Sequence, residues 1–275
     1  MLPGLPLSLG LASAWLGLIV IVPLVGLLLA GRRAPAAQLW QALADERARA
    51  ALALSFGAAG LAAIVNVVFG TLLAWVLVRY RFPGRRLADA LVDLPFALPT
   101  AVAGIALTAL YGPHGWLGAP LAALGLNVAY TRLGIVVALV FVGLPFVVRT
   151  VQPVLADLDP ELEDAAASLG AGRLRVATSV IAPEVAPAVL TGFTLAFARA
   201  LGEYGSVIFI AGNLPGRTEI VPLLIVIRLE SYDYAGAAAL GLVMLVASLL
   251  LLGVLNAVQR WSQRRAQPAE TTRGV

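Results

Sequence analysis

Cysteine and lysine are absent from this chain, histidine occurs once, and charged residues make up only 12% of its 275 positions. Without cysteine it forms no disulfide, builds no thiolate metal site and carries no thiol nucleophile. The single histidine, His114 in the turn YGPHGW, reads as an ordinary loop residue, because no second histidine and no carboxylate cluster marks an active site. No Walker-type phosphate loop occurs either, so the chain does not itself bind and split ATP by that route. Ordinary soluble domains carry about 25% charged residues, so this scarcity argues for lipid as the solvent of most of the surface.

What the chain has in their place is apolar sequence: 60% of its residues are hydrophobic and the mean hydropathy is +0.93. These residues gather into runs of about 20, the length that crosses a bilayer core as an α-helix. Six runs can be drawn, over residues 11–30, 51–78, 91–110, 133–151, 186–212 and 235–258. The first is long, has no basic residues ahead of it and lacks a small-residue cleavage site, so it reads as a retained helix rather than a signal peptide. The third is interrupted at its start by Asp93, Pro95 and Pro99, which predicts a kinked helix beginning with an interfacial turn. Trp15, Trp75, Trp116 and Trp261 fall near run ends, where aromatic rings anchor helices at the interface. The expected architecture is an all-α integral membrane protein with six transmembrane helices.

Orientation follows from the arginines, because basic residues close to membrane ends are retained in the cytoplasm. With the N-terminus inside, the cytoplasmic segments hold Arg79, Arg81, Arg85, Arg86, Arg149, Arg173, Arg175, Arg260, Arg264, Arg265 and Arg273. The outer segments hold Arg32, Arg33, Arg47, Arg49, Arg132, Arg217 and Arg228, mostly beside Asp or Glu. The prediction is N-in and C-in, in a multi-pass protein. An isoelectric point near 10.0 reflects this border arginine, not a nucleic-acid surface, since no contiguous basic face with interleaved aromatics exists.

Between the fourth and fifth runs lies a polar insert, residues 161–183, ELEDAAASLGAGRLRVATSVIAP. Asp157 and Asp159 precede Pro160, which suits a first helical turn, and Glu161, Glu163 and Asp164 complement the positive helix end. Gly170 and Gly172 should stop that helix, and residues 173–181 should form a second short helix ended before Pro183. Two short helices joined at glycine make a compact knob with alanines that let another protein's backbone come close. An amphipathic loop lying on the membrane is the competing reading.

Within the fifth run, Arg199 and Glu203 stand four apart on one helix face, where ionisable groups at membrane depth pair and face the bundle interior or a water-filled cavity. The pair either lines a translocation path or gate, or clamps helices permanently. Gly192, Gly202 and Gly205 flank it and permit close approach or local unwinding. Pro145 and Pro153 should bend the fourth helix. In the last outer loop, PLLIVIRL is too short to span and should dip back or lie laterally, and the loop's charged residues read as solvated. The first outer segment, residues 31–50, alternates small apolar and charged residues and suits an interfacial helix.

The knob resembles the cytoplasmic loop of ABC importer permeases, EAA, three residues, G, nine residues, I-x-L-P. The matching positions are Asp164, Ala165, Ala166, Gly170, Val180, Ala182 and Pro183, with Asp164, Val180 and Ala182 departing from Glu, Ile and Leu. Residues 197–237, FARALGEYGSVIFIAGNLPGRTEIVPLLIVIRLESYDYAGA, are similar to the T-type permeases of sulfate and thiosulfate importers. The resemblance spans residues 51–261 and extends to molybdate permeases. It implies the type-1 permease fold, with residues 1–50 as an N-terminal helix and outer segment, a core over 51–260, a coupling loop at 157–185 and a polar tail at 261–275. It implies that Glu163, Asp164, Ala165, Ala166 and Gly170, with Val180, Ala182 and Pro183, dock an ATPase. Arg199, Gly202, Glu203 and Gly205 are the candidate path or gate. The implied partners are a cytoplasmic ATPase dimer that uses ATP and Mg2+, a second permease of W type, a periplasmic sulfate-binding protein for which Arg217, Glu219, Arg228 and Glu230 of the last outer loop are candidate contacts, and membrane lipid. No cofactor is expected on this subunit, the implied location is the bacterial inner membrane, and a molybdate or tungstate permease or a secondary anion transporter are the rival readings.

Overall fold

The computed structural model describes residues 4–33 and 36–266. Thirteen helical elements follow one another, with no strand among the described residues. They are α1 (Leu7–Leu29, with a π turn at Gly17–Ile21), α2 (Ala36–Ala44), α3 (Glu46–Arg79) and α4 (Arg85–Val92). Then come α5 (Leu94–Ala97), α6 (Thr100–Tyr111), α7 (Gly118–Ala123), α8 (Arg132–Asp157) and α9 (Pro160–Ser168). The last are α10 (Arg173–Leu201, with a π turn at Ala177–Ile181), α11 (Val207–Ile210), α12 (Val221–Glu230) and α13 (Tyr234–Ala266).

Five of these helices, α1, α3, α8, α10 and α13, are long and apolar enough to cross a membrane. The third apolar run is not one helix but α4, α5 and α6. Pro99 has no N–H to donate and forces Leu98 into an extended conformation, φ −86° and ψ 133°, which ends α5. At 1.5 Å per residue, the α6 that remains is about 18 Å long against a hydrocarbon core of about 30 Å, and because α3 and α8 end on the same side, where Arg79 pairs with Glu163, the return crossing between them is made by α4, α5 and α6 together. The fifth run also ends early: α10 stops at Leu201 rather than continuing to residue 212, and the chain turns before α11.

The core is a three-helix contact of α3, α8 and α10. The buried face of α3 carries Ala48, Ala51, Ser55, Ala58, Ala59, Ala62, Ala63, Asn66, Gly70 and Ala74, so small side chains set the helix spacing. In lipid, where apolar burial gives no net drive, this close van der Waals approach is what holds helices together. Gly192 shows how close: a Cβ there would stand 2.9 Å from the Cα of Val147. Helix α8 is the most enclosed, with Ile135, Ala138, Val147, Val148 and Val151 at 0% exposure, and it runs through Pro145 and Pro153 without a break. Its start is capped by Thr131, whose Oγ1 accepts from the Leu133 N–H at 3.2 Å.

Charged residues tie the two ends of the bundle. At one end, Arg149 on α8 reaches Asp93 through Nε and Nη2 at 2.8 and 2.7 Å, and Asp89 on α4 through Nη1 at 2.6 Å. The Arg149 guanidinium holds the Asp89 carboxyl below the ordinary carboxylate range, against a smaller opposing effect of burial. At the other end, Arg47 near the start of α3 grips Glu219 with two parallel bonds of 2.7 and 2.6 Å. There Ser55 Oγ also accepts from the Val221 N–H at 2.9 Å, fixing α12 to α3. Helix α12 lies against α13 and α3 with Val221, Leu223 and Leu224 buried, and α2, the expected interfacial helix, packs on α13.

Candidate coupling site and translocation face

Helix α9 projects between the ends of α8 and α10. Leu158 leaves α8 in an extended conformation, and Asp159 then caps α9, its Oδ1 accepting from the Glu161 N–H at 2.9 Å. Pro160 occupies the first turn, where its missing N–H costs nothing, and Glu161 and Glu163 lie against the positive helix end. The helix stops where the sequence predicts, because Gly170 adopts φ +83°, a left-handed conformation that side chains with a Cβ rarely take. No residue of α9 is fully buried.

Around this turn the predicted docking residues divide into two sets. Asp164 and Ala165 are exposed on α9, Gly170 is exposed in the turn after it, and Ala166 is half-buried against the main core. Val180 is half-buried in the π turn of α10, and Ala182 and Pro183 are exposed just after it. The expected second short helix does not end before Pro183. It continues into the long membrane helix, because the π turn at Ala177–Ile181 shifts the hydrogen-bond register and takes up the donor that Pro183 lacks. The knob is therefore one short helix joined by a glycine turn to the end of another, with Ala166 packed against the core.

Sequence reasoning missed two groups here. Leu169 and Leu174, on either side of the glycine hinge, are 89% and 79% exposed, and with Leu162 they give the polar knob an apolar tip. Leucines flanking a glycine turn in an otherwise polar insert were the available signal. The other is Arg79, whose Nη2 pairs with Glu163; nothing local in the sequence couples residues so far apart in the chain.

The second predicted constellation lies further along α10, about 28 Å of helix from Val180 to Arg199 at 1.5 Å per residue. Arg199 Nη1 meets Glu203 Oε2 at 2.6 Å, as the spacing predicts, with Glu203 2% exposed and Arg199 34%. Glu203 does more than neutralise the arginine. Its Oε1 accepts from the Ser206 N–H at 2.8 Å and from Ser206 Oγ at 2.9 Å, which ties the loop after α10 to the residue that precedes α11. Gly205 is pressed against Thr100, so that a Cβ there would strike the Thr100 hydroxyl, whereas Gly202 has open space around it. The backbone of Ser206 packs on Gly104 of α6 in the same way. Arg199, Glu203 and Gly205 thus form one junction between α10, α11 and the start of α6, and Gly202 is the turn residue beside it.

Of the outer-loop residues expected to meet a soluble partner, Arg217 and Glu230 are exposed. Glu219, 1% exposed, is consumed by Arg47, and Arg228 bonds to Asp233 at 2.8 Å and Asp45 at 3.1 Å. A buried, doubly bonded carboxylate is a structural clamp, so Glu219 is removed from the candidate contacts.

The model of the family described as "Binding-protein-dependent transport system inner membrane component" matches residues 66–268. The sulfate transport system permease protein CysT of Salmonella typhimurium is 50% identical over 264 residues, 96% of this chain and 95% of that protein. The protein of the same name from Escherichia coli is 49% identical over 264 residues, with the same coverage of 96% and 95%. Among solved structures, a bacterial alginate ABC transporter in complex with an alginate pentasaccharide-bound periplasmic protein superimposes with a TM-score of 0.77 at 18% identity, covering 93% of each chain. At that identity the likeness speaks for the fold.

Proposed function

This chain belongs to the family of binding-protein-dependent transport system inner membrane components, in its CysT-type branch, and on that premise we propose that it is the transmembrane permease subunit of an ATP-driven importer of sulfate or thiosulfate. The observation that carries the reading is 50% identity across 96% of the chain to a relative named as a sulfate permease. As a type-1 ABC permease, a multi-pass protein of the inner membrane, it works with an ATPase, a binding protein and a second permease. Hydrolysis belongs to the separate ATPase subunit.

In the finer reading, the second permease is the W-type homologue, the binding protein is a periplasmic sulfate binder, and two cytoplasmic ATPases use ATP and Mg2+. Residues 161–183 and both termini face the cytoplasm. Asp164, Ala165, Ala166 and Gly170, together with the apolar tip of Leu169 and Leu174, enter a groove of the ATPase, with Glu163, Val180, Ala182 and Pro183 supporting the knob. ATPase closure pushes the two knobs of the permease pair together, and the helices turn that movement into outward opening. Binding-protein docking favours the same state, so the two ligands act by differential affinity for one conformation.

At the other end of α10, the Arg199–Glu203 junction supports the translocation face. An arginine balanced by a buried carboxylate offers a passing dianion hydrogen-bond donors without a deep electrostatic well, which suits passage over retention. Recognition of the anion then rests mainly with the binding protein.

The test is uptake of labelled sulfate into vesicles holding the full complex, with and without ATP. ATP-dependent uptake, with thiosulfate competing better than molybdate, is the expected result. Uptake that ignores ATP and follows an ion gradient would replace the importer with a secondary transporter, and preferential competition by molybdate would change the substrate.

A further inference from the structure

Besides the packing of Ala166 against the core, the knob is tied to the membrane body by three routes. Two are covalent: Leu158 joins it to α8, and residues 169–172 join it to α10. The second of these turns at Gly170, φ +83°, and is pinned to α9 by the Ala171 N–H, which donates to the Ala166 carbonyl at 3.1 Å, so α9 and the start of α10 move together. The third is a side-chain link: Arg79 at the C-terminal end of α3 donates to Glu163 on α9.

That link is built, not incidental. Arg79 stands with its Cζ 5.3 Å from the centroid of the Trp75 ring one turn earlier on α3, which fixes the guanidinium over an aromatic face. The two side chains are 24% and 25% exposed, so the pair is largely shielded from solvent. Glu163 is in the first turn of α9, where a carboxylate is already stabilised. Beyond Arg79 the chain runs out of helix at Tyr80, so the pair grips the last turn of α3, the helix that shares the most extensive contact in the core with α8.

We propose that Arg79 and Glu163 are a positioning pair that carries movement of the coupling knob into α3. The inference rests on the importer reading above. The ATPase moves α9 together with the start of α10, and the ion pair passes that movement to the inner end of α3. Glu163 therefore acts toward the membrane, while its neighbours Asp164 and Ala165 act toward the ATPase.

In the reconstituted complex, Arg79→Gln and Glu163→Gln should each lower sulfate imported per ATP hydrolysed by about fivefold, the scale of a partly exposed ion pair. The exchanged double variant, Arg79→Glu with Glu163→Arg, should recover most of it. An unchanged ratio in both single variants overturns the proposal. So does a loss in the Glu163 variant alone accompanied by loss of ATPase copurification, which would make Glu163 a docking contact.

A second measurement holds whatever the substrate is. Because the chain has no cysteine, spin labels can be placed at Leu162→Cys and Tyr80→Cys, both exposed, without removing native thiols. The distance between them should stay constant when a non-hydrolysable ATP analogue is added to the complex, and should change with nucleotide once Arg79→Gln is introduced. Identical behaviour with and without Arg79→Gln overturns the strut. A complex that imports no sulfate but shows the expected distances overturns the substrate assignment instead.

Discussion

Glu203 is the residue on which two roles converge. It balances Arg199 and it holds Ser206 ahead of the helix that follows, so the side chain has three donors and almost no contact with solvent. Removing the arginine leaves a buried carboxylate with only the Ser206 bonds, and an uncompensated buried charge costs about 3–5 kcal/mol. Arg199→Ala should therefore lower both the amount of folded permease and the rate of uptake. Glu203→Gln, which keeps a hydrogen-bond acceptor, should be milder on folding; the check is thermal stability in detergent beside uptake kinetics. Gly170 is the second residue with a decisive conformation. A β-branched side chain at φ +83° is strained by about 1–2 kcal/mol, so Gly170→Val should displace the knob, weaken ATPase copurification and uncouple hydrolysis from uptake. Copurification at the level of the parent protein would show that the turn tolerates it.

Among the elements, α4 is the one held by charge. It is a short amphipathic helix at the end of the bundle whose attachment to α8 rests on Arg149 with Asp89 and Asp93. The pKa of Asp89 is lowered in the folded protein, chiefly by its hydrogen bond from Arg149. The unfolded carboxyl thus takes up its proton first on acidification. The stabilisation is in full force above the ordinary value of 3.8 and is lost as pH falls below it and through the depressed folded value. Amide exchange protection of residues 85–92 should drop in that acid window, and Asp89→Asn should abolish the acid dependence at a lower baseline. The same element shows where apolarity misleads: a run over residues 91–110 looks like a span, but two prolines divide it, and a hydropathy sum does not register the missing donors. The long helices were legible because their length and apolar content alone satisfy a bilayer. Helix α9 was legible because its cap, proline and acidic first turn are all local.

For the whole molecule, the sidedness inferred from arginine makes its own prediction. Single cysteines at Leu169 and Arg217, both exposed, should react with a membrane-impermeant reagent from opposite sides of the inner membrane, residue 169 from the cytoplasm. Labelling of residue 169 from outside would remove the knob from reach of any cytoplasmic ATPase. By itself the sequence determined the solvent, the class of fold, the long spans, the knob and the Arg199–Glu203 pair, since each depends on composition or on residues within one helical turn. Tertiary structure decided the rest: that α3, α8 and α10 meet through small residues, that Glu219 belongs to Arg47, and that Glu163 belongs to Arg79. Those pairings join residues separated by 172 and 84 positions, and only the packing of whole helices brings such groups within hydrogen-bonding reach.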